Sequence, residues 1–216
     1  MSSNVNGLRS GSSTPELLPV LGQPVVRERA DAVRNRERVL AAAAGLYAEH
    51  GADQVSMDAI AEAAGVGKGT LYRRFADKSA LAAALLDAKE RVLQAAILSG
   101  PPPLGPGATP AERLAAFATA YLAYVDQNAD LVTLSQTASP GARMRTGAHR
   151  FWRRHCTYLL QHGGAPDADV RADSLLATLS AEMINHWRAD TVSKPVDLEA
   201  AVQRLARALC TVRPQT

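Results

Sequence analysis

The chain has 216 residues, 47% of them hydrophobic and 21% charged, with a formal charge of +3 and a sequence pI of about 9.1. This balance suits one or two globular domains with a hydrophobic core, and no apolar run reaches the roughly 20 residues a membrane-spanning helix needs. Two cysteines, Cys156 and Cys210, are too few for a disulfide framework, and MSSNVNGLRSGSSTPELLPV lacks the basic and apolar regions of a secretory signal, so a reduced cytoplasmic protein is expected.

Residues 1–26, rich in Ser, Gly, Asn and Pro, read as a mobile tail. A first helix is predicted from Ala32 to His50, with Val33, Leu40, Ala43 and Tyr47 on its inner face and Gly51 ending it. Ser56 can cap a short second helix that runs through Ala64, with Asp58 near its positive end and Gly65 closing it. A third helix spans Lys68 to Phe75. A fourth spans Lys78 to Leu98, with Leu81, Leu85, Val92 and Ala96 as its inner stripe. The stretch SGPPPLGPGATP (99–110) then stops any helix, because prolines remove donors and clash, and it is taken as the domain boundary. Further helices are predicted over 110–127, 129–137, 142–162, 168–189 and 197–210. Leu114, Phe117, Tyr121 and Tyr124 stripe the first of these, Leu176, Leu179, Met183 and Trp187 the fourth, and Leu198, Val202, Leu205 and Leu209 the last. Period-two alternation is missing. The expected fold is all-α, with one domain over 27–98 and a second over 111–216.

Function concentrates in VSMDAIAEAAGVGKGTLYRRFADKSAL (55–81). Two short helices around a glycine turn are what a helix-turn-helix requires. Ile60, Ala61, Ala64 and Val66 are small or apolar, so the two helices can cross closely. Leu71 and Phe75, one turn apart, must face a core, which leaves Gly69, Thr70 and Arg73 pointing outward, Lys68 and Tyr72 on one flank and Arg74 on the other. Between Val66 and Lys78 four bases (Lys68, Arg73, Arg74, Lys78) face one acid (Asp77), a local +3 equal to the formal total of the chain. Such focusing suits a surface that approaches phosphates. Gly69 lets backbone come close, Thr70 and Tyr72 can donate to phosphate oxygens, Arg73 can reach guanine edges, and Lys78 sits beside free helix-start amides as a phosphate clamp.

AIAEAAGVGKGTLYRRFADKSAL (59–81) resembles the helix-turn-helix signature of the tetracycline-repressor (TetR) family, closely over about residues 34–86 and only architecturally beyond. The resemblance implies a nine-helix homodimer with an N-terminal DNA-binding domain and a variable C-terminal ligand-binding and dimerisation domain. Position by position, it implies Ser56, Lys68, Gly69, Thr70, Tyr72, Arg73, Arg74 and Lys78 as the DNA surface. Gly67 departs from the pattern, standing where Ser or Thr often opens the recognition helix. Arg73 and Arg74 depart too, where aromatic or His residues are frequent. The resemblance also assigns residues 175–187 and 198–209 to a four-helix dimer seam, with burial inside one subunit as the alternative.

In the C-terminal half, Tyr121, Trp152, His155, Tyr158, Met183, His186 and Trp187 combine apolar bodies with polar tips, the mixture of a small-molecule cavity, with a plain dry core as the alternative. His149, His155, Cys156 and His162 lack a metal site's i, i+4 pairing, so no metal and no cofactor is expected beyond an unidentified small organic effector. Arg143, Arg145, Arg150, Arg153 and Arg154 form a basic run, read as a solvated face or, secondarily, as contacts for an anionic effector. No nucleophile–base pair or paired-carboxylate arrangement supports catalysis. The expected function is operator binding by a ligand-responsive repressor, with double-stranded DNA, a second copy of the chain and the effector as partners and no membrane. A helical protein-interaction adaptor and, behind it, an all-α enzyme are the alternatives.

Overall fold

Helix-forming sequence is nearly continuous from Pro24 onward, and the computed structural model describes residues 24–137, 141, 144, 146–189 and 197–211, the side chains of 24–30 and 137 apart. Among the described residues there are ten α-helices and no strand: α1 (Pro24–His50), α2 (Met57–Ala63), α3 (Lys68–Arg74), α4 (Lys78–Ser99), α5 (Pro110–Gln127), α6 (Ala129–Thr137), α7 (Gly147–His162), α8 (Ala168–Thr178), α9 (Ala181–Ala189) and α10 (Leu198–Cys210). Residues 1–34 and 35–216 form separate units; in the first, Asp31 and Arg34 pair one turn apart on α1. Most of the tail expected over 1–26 lies outside the described residues. Helix is already present from Pro24, ahead of the expected start at Ala32, since proline suits a first helical position and the Arg/Glu/Ala run after it favours helix.

Within residues 35–216 the apolar side chains gather in two clusters. The first joins Val39, Ala43 and Tyr47 of α1, Ile60 and Ala61 of α2, Leu71 and Phe75 at α3, and Leu81 of α4. The second joins Leu86 and Ile97 of α4, Leu114 and Phe117 of α5, Trp152 and Leu159 of α7, Leu175 of α8, Ile184 of α9 and Val202 of α10. Helix α4 therefore roots its start in one core and its remainder in the other. Leu131 of α6 packs against both.

Three expected faces are rotated in the structure. Val33 is exposed, and Val39 takes the inner position on α1. On α4, Val92 is 71% exposed while Leu86 and Ile97 are buried and Leu93 packs on the core. That helix is apolar around most of its circumference, so larger aliphatic groups set its phase one residue away from the expected stripe. On α10 the most buried positions are Val202, Ala206 and Cys210, with Leu205 and Leu209 on the flank.

Two expected helices begin or divide differently. Within the range expected as one helix, 142–162, α7 begins at Gly147, where Thr146 caps it by accepting from the His149 amide at 3.0 Å; residues 142, 143 and 145 lie outside the described residues. The helix expected over 168–189 is divided after Thr178. Ser174 and Thr178 hydroxyls donate back to the carbonyls of Val170 and Ser174, and Ser180 Oγ accepts from the Met183 amide to open α9. Back-bonding hydroxyls and a local cap favour such a break.

Candidate nucleic-acid interface

The first cluster exists to hold α3 still. Ser56 Oγ accepts from the Ala59 amide at 3.1 Å, satisfying one of the free donors at the start of α2. At its other end the Gly65 amide donates to Glu62 O and the Val66 amide to Ala61 O, both at 3.0 Å, with Gly65 at φ +61. This paired closure needs a left-handed residue, which glycine takes without cost. Leu71 is 1% exposed and Phe75 5%, so one side of α3 is locked in the core. Asp77 then caps α4 by accepting from the Ala80 amide at 2.8 Å. The spacing of the helices is thus fixed by local chemistry at every joint.

Gly67, at the start of α3, has no side chain to cap it, as its departure from the TetR pattern implies. Its φ of −64° and ψ of 141° suit any residue, and a Cβ there would meet only Thr70 Oγ1 at 4.0 Å. Gly67→Ser should therefore stabilise the fold by about 0.5–1 kcal/mol, through a cap and a stiffer unfolded chain. The denaturant midpoint should rise with an unchanged m-value.

On the opposite side of α3 the expected DNA-facing residues are at the surface. Lys68, Gly69, Tyr72, Arg73 and Arg74 are exposed and Thr70 is half-buried. A Cβ added at Gly69 would meet nothing within 4 Å, so the backbone there is open to another molecule. Arg73 and Arg74 have no ion-pair partner among the described residues. Elsewhere acids engage some of the arginines: Arg153 meets Asp169 and Asp173, Arg91 meets Asp87, and Arg188 meets Asp126. Ser56, exposed at the start of α2, caps and can still donate its hydroxyl proton outward.

Two lysines behave differently from a pair of free charges. Lys68 Nζ lies 2.5 Å from Asp58 Oδ2 on α2, and this carboxylate raises the lysine pKa. Lys78 Nζ donates to the carbonyls of Ala52 at 2.9 Å and Asp53 at 3.1 Å, clasping the α1–α2 connection. An ammonium has three donors, so one N–H of Lys78 remains for a phosphate oxygen. The sequence reading places Asp58 near the positive end of the second helix, where it lies, but gives neither its tether to Lys68 nor the cap that Asp77 makes.

Residues 39–85 match the family model described as bacterial regulatory proteins, tetR family. This is a TetR-family helix-turn-helix domain. Two HTH-type transcriptional regulators of Staphylococcus aureus, from strains bovine RF122 / ET3-1 and USA300, are each 49% identical over 53 residues, which is 24% of this chain and 29% of theirs. The match thus spans less than a third of those relatives. Over a longer stretch the chain is similar in fold to the fatty acid degradation regulator FadR of Bacillus halodurans, with a TM-score of 0.57 and 21% identity over 82% of this chain and 94% of that one. It is likewise similar to FadR of Bacillus subtilis, solved in complex with stearoyl-CoA, with a TM-score of 0.55 and 20% identity over 81% and 97% of the two chains.

Behind the TetR-type domain, α4, α5, α6 and the start of α7 enclose a cavity of about 280 Å³. Of the residues expected in a pocket, Tyr121 and Trp152 line it. His155 does not: it is packed edge-on against Phe117 at 5.5 Å, and burial and the Arg113 charge lower its pKa to about 4, so the imidazole is neutral near pH 7. Tyr158 is exposed and stacks on His162 with ring centroids 3.9 Å apart, while Met183, His186 and Trp187 are at the surface of α9. Glu90, Asp87, Tyr124 and His149 line the cavity without having been singled out for it. The i, i+3 spacings of Asp87 with Glu90 and Tyr121 with Tyr124 were the available signal. Of the basic run, Arg143 and Arg145 lie outside the described residues, and Arg153 is engaged by α8 acids. Among the described residues no three His, Cys, Asp or Glu side chains come together to hold a metal ion, and no helix is long and apolar enough to cross a membrane.

Proposed function

We propose that this chain is a ligand-responsive transcriptional repressor of the cytoplasm, binding a pseudo-palindromic operator as a homodimer. One observation carries the reading. The α3 helix buries Leu71, with Phe75 just past its end, and turns outward a hydroxyl-bearing basic face on which Arg73 and Arg74 have no ion-pair partner among the described residues. A duplex groove is the natural complement of such a rod: phosphates take the cations and hydroxyls, and an extended Arg73 reaches base edges. Two copies of α3 would enter successive major grooves about 34–36 Å apart. Apolar groups left at the surface of α9, Met183 at 37% and Trp187 at 38% exposure, support a dimer seam in the C-terminal helices.

The cavity beside α4 supports an effector site, as does the stearoyl-CoA held by the Bacillus subtilis neighbour. Because α4 belongs to both cores, a ligand that favours one tilt of that helix would change the spacing of the recognition helices. Its leverage on DNA affinity equals its preference between the two forms, typically about 1–3 kcal/mol.

Fluorescence anisotropy with DNA from upstream of the coding region tests the proposal. Tight binding at 50 mM salt should weaken by about a thousandfold or more at 200 mM, as six to ten phosphate contacts imply. Equal affinity for that DNA and a random duplex would refute operator recognition.

A further inference from the structure

The cavity carries a charge signature that DNA binding does not explain. Two carboxylates of α4, Asp87 and Glu90, stand on its wall with three aromatic rings, Tyr121 and Tyr124 of α5 and Trp152 of α7. Among the described residues neither Lys nor Arg lines it, and the other ionisable groups there are His149 and the phenols of Tyr121 and Tyr124. Asp87 is already matched, its Oδ2 lying 2.5 Å from Arg91 on α4. Glu90 is not. Its Oε1 accepts from the Tyr124 hydroxyl at 3.1 Å, and no cation pairs with it among the described residues. Partial burial and the neighbouring Asp87 charge raise its pKa, while the Tyr124 hydrogen bond opposes that rise.

A half-buried carboxylate without a counter-charge gains from any cation brought beside it. The adjoining rings suit the same occupant. Tyr121 lies 5.7 Å from Tyr124 and 6.0 Å from Trp152 between centroids, so the three form one aromatic wall, and ring faces attract cations. An anionic head group would find two carboxylates and no described cation. The volume of about 280 Å³ sits near the lower end of small-molecule pockets, which span about 300–1,000 Å³, so the occupant is compact.

We propose that this cavity binds a small organic cation, a quaternary or protonated amine bearing a ring, with Glu90 as its counter-charge and Tyr121, Tyr124 and Trp152 as its walls. The assignment rests on the effector reading of the cavity. Calorimetry on the full chain without DNA tests it, with benzyltrimethylammonium as the cation and phenylacetate as an anion of similar size. The cation should bind at least about tenfold more tightly than the anion, and Glu90→Gln should weaken it by about tenfold or more. Equal or tighter binding of phenylacetate, no cation binding up to millimolar concentration, or unchanged affinity in a folded Glu90→Gln variant would each overturn it. If that variant does not fold, the two probes on the unaltered chain decide. Anisotropy on the same preparation keeps the two readings apart. DNA binding without cation binding overturns the cation assignment alone, and cation binding without DNA binding overturns only the operator reading.

Discussion

Leu71→Ala should lower the unfolding free energy by about 3–5 kcal/mol, the largest effect expected of any single change on α3. Leu71 is 1% exposed and stands where α1, α2 and α4 converge on the recognition helix. Removing most of its side chain forfeits the transfer energy of buried carbon and leaves a void that Ile60, Ala61 and Phe75 cannot close without moving α3. A scan by circular dichroism should show the melting midpoint fall by about 10 °C. DNA affinity should fall with it, since the basic face is only as well placed as the core beneath it. A drop below about 1 kcal/mol would mean that α3 is not anchored through Leu71.

Arg73→Ala and Lys78→Ala should weaken DNA binding in distinguishable ways. Arg73 is exposed, so its loss should leave the melting midpoint unchanged while costing about 1–3 kcal/mol at the preferred sequence and relaxing selectivity there. Lys78 plays two parts. Its loss should weaken operator and random DNA about equally, because a phosphate contact carries no sequence information. It should also cost about 2 kcal/mol of stability, since the Ala52 and Asp53 carbonyls lose a charged donor. Affinities for operator and random duplex, paired with a thermal melt of each variant, separate these outcomes. A selective loss from Lys78→Ala, or a uniform one from Arg73→Ala, would reverse the division of labour between them.

The helix-turn-helix was legible in the sequence because its determinants are neighbours along the chain. Ser56 and its cap, Gly65 and its left-handed turn, and the Leu71–Phe75 pair all act within about one helical turn of themselves, so spacing alone locates them. The C-terminal half depends on distant partners. Glu90 and Tyr124 are 34 residues apart and meet only because α4 packs beside α5. Which face of α4 turns inward could not be read from a helix apolar on most sides, and Val92 was chosen where Leu93 belongs. The division after Thr178 was written in local hydroxyls, but long-range apolar periodicity masked it.

The tether between Lys68 and Asp58 has a consequence for how strongly the chain can hold any duplex. An incoming phosphate or guanine must win that ammonium from a carboxylate only 2.5 Å away, so part of the attraction is spent before contact begins. Lys68 therefore adds less grip than its formal charge suggests. On the operator reading, indiscriminate polyanions are likewise less able to capture it.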